Sequence, residues 1–236
     1  MSIIINDLFD YGLKIYQDEE KFKFSLDSLL LSEFVDIKKS DRKLIDLCSG
    51  NAPLPLILAS KHDINIIGVE IQKSIYNLAN KSIKYNKLSS KIKMLNINAK
   101  VINNYFPGNN FDIVTCNPPF FKIAKNSLIN SNQEKAIARH ELTITLEEII
   151  ENASFLLKNN GKFYLVHRPE RLEEILILAN KYNLHVKEIE FIYTKPQDCA
   201  IMILLKFVKN AKFGVKINSK IINRQTKTYQ NIFRKE

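Results

Sequence analysis

Three observations predict an α/β fold with a mostly parallel sheet and helices on both of its faces. From Lys43 onward, short apolar runs alternate with stretches of helical period at the spacing of successive β-α units. Several of those runs end in a carboxylate or amide, as the strands of such sheets do where they meet a ligand. The last two apolar runs, 186–193 and 200–208, are joined by a short turn containing Pro196, which predicts an antiparallel pair at the end of the sheet.

The elements follow in order. Residues 1–41 form an N-terminal segment with a turn at Tyr11-Gly12 and a strand-like alternation over Phe22-Lys23-Phe24-Ser25. Ser25 or Asp27 can cap a helix in which Leu26, Leu29, Leu30 and Phe34 share a face, and this segment is expected to lie across the ligand site. The main domain is expected over 42–208, with strands at 43–48, 64–71, 92–98, 113–116, 162–167, 186–193 and 200–208. Helices are expected at 55–61 and 73–86, and after the Thr145 cap with Glu148 three residues on. Gly161 is expected to terminate that helix, and Arg168-Pro169-Glu170 to open another through Leu172, Ile175, Leu176 and Ala179. A polar loop is expected over 122–133, and a basic tail over 209–236.

Strand 113–116 stops at Asn117-Pro118-Pro119-Phe120. Prolines do not donate to a ladder and fix their own φ, so the chain leaves the sheet stiffly. Asn117 and Phe120 are thereby held at its mouth. A side-chain amide oxygen, a free carbonyl and a flat apolar ring suit a planar base bearing an amino group. Glu70 follows Asp46 by 24 residues, the spacing of one β-α-β unit whose second strand tip offers a carboxylate to ribose hydroxyls.

Composition narrows the partners. The net charge is +10, and from Lys206 to Glu236 nine Lys or Arg stand against Glu236 alone. Such a balance points to a polyanion, and nucleic acid is the expected one. Arg139, His140 and Arg168, with His167, flank the expected mouth, and Lys212, Lys216 and Arg224 belong to the tail. Cys48, Cys116 and Cys199 lack metal-ligand spacing, so reduced thiols and no metal are expected. With no export leader and no membrane-length apolar run, the expected location is the cytoplasm.

Phe24-Ser-Leu-Asp27, Asp46-Leu-Cys-Ser-Gly-Asn51, Gly68-Val-Glu-Ile-Gln72, Thr115-Cys-Asn-Pro-Pro-Phe120, Ala138-Arg-His-Glu141 and Val166-His-Arg-Pro169 together resemble the bacterial valine-tRNA adenine methyltransferases. The resemblance runs from about Asp7 to Lys206. It implies a class I, Rossmann-like methyltransferase fold with a seven-stranded, mostly parallel sheet ending in an antiparallel hairpin. It implies S-adenosylmethionine as cofactor and the exocyclic amino group of an anticodon-loop adenine in valine tRNA as acceptor. Carried over residue by residue, Asn117, Pro118, Pro119 and Phe120 are catalytic. Ser25, Asp27, Asp46, Cys48, Gly50, Asn51, Glu70, Ile71, Asn98, Ala99 and Asn117 face the cofactor. Two positions depart from the family pattern: Ala52 stands for a glycine and Asn98 for an aspartate, which predicts weaker cofactor binding. Two other readings fit the motifs: methylation of a release-factor glutamine amide or of ribosomal RNA on the same fold, and a non-catalytic RNA-binding module.

Overall fold

A computed structural model describes residues 3–8, 11–18, 26–118 and 144–222 of the chain. An N-terminal hairpin pairs β1 (Ile3–Leu8) with β2 (Leu13–Asp18), turning through Gly12 at φ 63°. Helix α1 (Leu26–Phe34) leads to β3 (Lys43–Leu47), α2 (Pro53–Lys61), β4 (Asn65–Val69), α3 (Lys73–Tyr85) and β5 (Ile92–Leu95). A 3₁₀ segment over Ala99–Asn104 precedes β6 (Phe111–Cys116). Then come α4 (Leu146–Leu156), β7 (Leu157–His167), α5 (Leu172–Lys181), β8 (Leu184–Tyr193), β9 (Met202–Lys209) and β10 (Lys216–Ile221).

The main sheet has the order β10-β8-β9-β7-β6-β3-β4-β5. The seven strands expected from the sequence are β3 to β9, with β8 and β9 the expected antiparallel pair. An eighth, β10, comes from the segment expected to be tail and lies parallel to β8. All strands but β9 point the same way, so one edge of the layer collects the carboxyl ends of β3, β4, β5, β6, β7, β8 and β10. Strand order reverses between β3 and β6, the place where such sheets open a ligand crevice.

Both faces are covered, which is why the strands are apolar on both sides. Leu44, Ile113, Tyr164 and Val166 face a core shared with α1, α2, α3 and β2. Ile45, Leu47, Val114, Cys116, Phe163 and Leu165 face a second core under α4 and α5. Thr145 and Glu148 form the expected reciprocal capping box at the start of α4.

Gly161 does not end that helix. Helix α4 passes directly into β7, and Gly161 sits within the strand beside Asn160 at φ 62°. Phe111 pairs with Leu157 and Ile113 with Lys162, so the chain over 158–161 bulges out of register. A Cβ on Gly161 would stand 2.9 Å from the Lys158 carbonyl oxygen, and this crowding explains the glycine.

The N-terminal segment is fastened to the sheet by polar contacts that local sequence does not announce. The Tyr16 backbone N–H donates to Ser82 Oγ (2.9 Å), and Asn86 exchanges hydrogen bonds with both backbone groups of Lys14 (2.9 and 2.6 Å). Beyond α1, the Lys162 ammonium reaches the Asp36 carbonyl (2.7 Å) and the Asp41 carboxylate (2.8 Å). Tyr164 packs edge-on against Phe34. Ser25, Phe22-Lys23-Phe24, Pro119, Phe120, the loop 122–133, Arg139, His140 and Arg224 lie outside the described residues.

Candidate active site

The mouth is built from four strand ends. At the first, β3 delivers Asp46 and the chain then turns through Cys48 (φ 57°), Gly50 (φ 56°) and Ala52 (φ 65°) before Pro53 opens α2. Left-handed backbone is costly for an alanine, of order 1 kcal/mol. Ala52 adopts it nonetheless, fully buried, in the conformation that a glycine takes more readily. A Cβ on Gly50 would meet nothing within 4 Å, so the loop presents a bare backbone to open space.

Asp46 is 3 % exposed and accepts from Ser49 Oγ and Thr115 Oγ1, both at 2.6 Å. Burial pushes its pKa up to about 7, more than the two hydroxyls and the neighbouring Glu70 charge modify it. At the second strand end, Glu70 is 6 % exposed. Its Oε2 accepts from Gly50 N (3.0 Å) and its Oε1 from Gln72 N (2.7 Å). Burial raises its pKa, against the pull of those backbone donors. Two carboxylates thus converge on one glycine loop with hydroxyls and amides as their hydrogen-bond donors, a local excess of negative character suited to a cationic ligand.

At the third end, Asn96 Nδ2 donates to the carbonyls of Glu70 (2.8 Å) and Ile71 (2.9 Å), pinning the tip of β4 to β5. Asn98 accepts from Lys100 N (2.9 Å) and so caps the 3₁₀ turn that begins with Ala99. At the fourth, β6 ends at Asn117, whose Nδ2 donates to Ser28 Oγ of α1 (2.9 Å). Pro118, next in the chain, is buried. Helix α1 thus contacts the end of β6 through Ser28, and Asp27 is in its first turn.

Other expected residues fall differently. Asn51 Nδ2 donates to the Tyr16 carbonyl (3.0 Å) and ties the loop to β2. Cys48 packs with Cys116 on the α4 face, where burial raises the Cys116 pKa well above the ordinary thiol value, with Cys48 beside it. Arg168 follows β7 at the mouth and donates to the Ile201 carbonyl (2.9 Å). His167 is fully buried and its pKa falls to about 4, by burial first and then the Arg171 charge, so it is a neutral imidazole near pH 7. Lys212 and Lys216 precede or begin β10 and stand at the opposite end of the sheet, apart from the other candidates.

Ser28 and Thr115 were not picked out by sequence. The available signal was faint: a hydroxyl on the buried side of a leucine-rich helix, and a threonine two residues before Asn117 in an apolar strand. Among the described residues, no group of three His, Cys, Asp or Glu is placed to hold a metal ion. No described helix is long and apolar enough to cross a membrane.

The methyltransferase small domain family matches residues 26–189, most of the chain. The protein belongs to that family. A tRNA1(Val) (adenine(37)-N6)-methyltransferase of Cytophaga hutchinsonii is 28 % identical over 181 residues, 76 % of this chain and 74 % of its own length. One of the same name from Bacteroides thetaiotaomicron is 24 % identical over 204 residues, 86 % and 83 % of the two chains. Among solved structures, a predicted O-methyltransferase of Agrobacterium tumefaciens superposes with a TM-score of 0.66 at 17 % identity, covering 87 % of this chain and 96 % of that one. Pyrococcus horikoshii TYW2 in complex with MeSAdo gives 0.61 at 16 % identity, covering 89 % and 72 %. In this methyltransferase small domain the strand-order switch, the bare Gly50 backbone, Glu70 and Asn117 lie at one edge of the sheet.

Proposed function

We propose that this protein transfers a methyl group from S-adenosylmethionine to the exocyclic amino group of an adenine in the anticodon loop of a valine tRNA. The observation that carries this reading is Asn117 at the end of β6, beside the strand-order switch and under α1. The names of the relatives agree with it.

S-adenosylmethionine, when bound, supplies an electrophilic methyl group on a sulfonium. Glu70 is the residue to hold its ribose, and Asp46 with the Gly50 loop to face its charged amino-acid end. Ile71, Asn98 and Ala99 line the edge where its adenine belongs. The remaining problem is the acceptor. An aromatic amino nitrogen has its lone pair delocalised into the ring and is a poor nucleophile. Asn117 Oδ1 and the Pro118 carbonyl accept its two N–H groups, so the nitrogen pyramidalises with its lone pair aimed at the methyl. Phe120 is the proposed stacking face for the extruded base, worth about 1–3 kcal/mol. A loop base is extruded cheaply because it is unpaired or weakly stacked. Once the nitrogen is alkylated its proton is strongly acidic and passes to water, so no dedicated base is required.

For the RNA, Arg168 at the mouth meets phosphates near the reacting base. Lys212 and Lys216, at the far end of the sheet, meet only RNA distant from it, and Arg139, His140 and Arg224 are proposed contacts on sequence grounds. The deciding experiment is transfer of labelled methyl to unmodified valine tRNA and to the same transcript with guanine in place of the anticodon-adjacent adenine. Incorporation into the adenine transcript alone is expected. Equal labelling of both, or of neither, would sink the assignment. Arg168→Ala is expected to raise KM for an isolated anticodon stem-loop and for whole tRNA alike. Lys212→Ala with Lys216→Ala should raise it for whole tRNA only.

A further inference from the structure

The Asn117 amide has two chemically opposite ends, an acceptor oxygen and a donor nitrogen, that differ little in shape. Its role in methyl transfer depends on which end faces the substrate. Turned the right way, it accepts an N–H from the base; turned the other way, it sets a donor against a donor. The proline that follows stiffens the backbone but does not choose between these two orientations of the side-chain amide.

The choice is made by α1. Ser28 Oγ accepts from Asn117 Nδ2 at 2.9 Å, and Ser28 is itself buried. Among the described residues no donor meets the Asn117 oxygen, which is left for the substrate. A serine hydroxyl can donate as well as accept, so its setting matters. Helical serines commonly give their proton to a carbonyl one turn back. Ser32, Ser60 and Ser82 in this protein all do so, to Leu29, Ile57 and Leu78. Ser82 shows the consequence: its proton goes to the helix while its oxygen accepts the Tyr16 amide. Ser28, the third residue of α1, has its turn-back carbonyls outside the described residues; its oxygen accepts the Asn117 amide as that of Ser82 accepts the Tyr16 amide.

The helix that carries Ser28 is held firmly. Glu33 pairs with Lys220 of β10 (2.8 Å), Phe34 packs edge-on against Tyr164 of β7, and the residues just after α1 are tied to Lys162. A rigid support of this kind is what a catalytic amide requires, because small misplacements cost large factors in rate.

We propose that Ser28 is a positioning residue for methyl transfer: its hydroxyl holds the Asn117 amide with the nitrogen turned toward α1 and the oxygen toward the amino group to be methylated. This rests on the function proposed above. It also gives α1 a part in the chemistry, beyond covering the site.

The test measures kcat, KM for tRNA and cofactor affinity in Ser28→Ala, Ser28→Thr, Asn117→Ala and the double variant Ser28→Ala/Asn117→Ala. Ser28→Ala is expected to lower kcat by about 10- to 100-fold, the loss of one orienting hydrogen bond, with both binding constants and the melting temperature nearly unchanged. Ser28→Thr keeps the hydroxyl and should restore most of kcat. The double variant should be no slower than Asn117→Ala alone, because Ser28 acts only through that amide. Wild-type kcat in Ser28→Ala, with Asn117→Ala inactive, would overturn the proposal and leave the functional reading intact. So would a Ser28→Thr variant as slow as Ser28→Ala, or a loss of cofactor affinity that accounts for the lower rate. An Asn117→Ala variant with normal kcat would overturn both together.

Discussion

Asp46 and Asp112 are the same residue type on neighbouring strands of one sheet, and their environments drive them in opposite directions. Asp46, near the carboxyl end of β3, is shut into the mouth with two hydroxyls, and burial carries its pKa to about 7. Asp112, near the amino end of β6, is also pushed up by partial burial. There the Lys158 ammonium at 2.6 Å and the backbone N–H groups of Arg42 and Lys43 outweigh burial, and its pKa is lowered. The difference teaches where this sheet keeps its stability and where its chemistry. At one end Asp112 has a cation and two backbone donors; at the other, Asp46 has two hydroxyls and Glu70 two backbone N–H groups, with no cationic side chain among their hydrogen-bond partners in the described residues. Buried carboxyl groups with raised pKa and no cationic partner mark a candidate binding site.

The contrast can be broken most sharply at Glu70. Glu70→Gln keeps the size and one oxygen but gives up the charge, and should weaken cofactor binding by about 10- to 100-fold, the worth of a charged acceptor, as read by titration calorimetry. An unchanged Kd would mean that the carboxylate serves the Gly50 loop and not a ligand. Next comes Asp46. An aspartate held at about 7 when folded keeps a proton that the unfolded chain has released above about pH 4, so the ligand-free fold loses stability as pH rises from about 4 through 7. Melting curves across that window should fall for the native chain and stay flatter for Asp46→Asn. A parallel pair of curves would place Asp46 among the ordinary ionised acids. The smallest effect is at Asp112, where the sign reverses. A lowered pKa contributes stability above about pH 4 that is lost as pH falls below it. Asp112→Ala should cost about 0.5–1.5 kcal/mol at pH 7, less at pH 3, and leave methyl transfer untouched. A fall in kcat there would undo the division between the two ends.

Much of this was legible from residue order because the β3-to-β6 region is built from consecutive β-α units. Each strand there is an apolar run of its own, and each strand end carries its polar residue in sequence. The expected strand over 43–48 is Lys43–Leu47, and that over 113–116 lies within Phe111–Cys116. The hairpin β1-β2 was not legible: its first stabilising partners are Ser82 and Asn86, far along the chain, and nothing in Leu13-Lys-Ile-Tyr-Gln-Asp18 announces them. The same holds for Asn51. Its place in the glycine loop gives no sign that its amide nitrogen donates to a backbone carbonyl 35 residues away. Gly161 was misassigned because a glycine just past a helix looks the same whether the chain stops or bulges into a strand. Ser28 stayed hidden because its meaning depends on a partner 89 residues on.

β10 carries a consequence of another kind. Among the described residues it is the outermost strand on its side of the sheet, and Phe213 (86 % exposed), Val215 and Ile217 stand in the open along its approach. An apolar edge with unpaired backbone groups is a template on which another chain can extend the sheet. Lys216 and Lys220 punctuate that edge, as lysines do where nature blocks such growth, while the other boundary strand, β5, is only four residues long. The charges of these lysines oppose growth of the sheet at that edge. Exchanging them for apolar residues would show first as precipitation, before any change in catalysis.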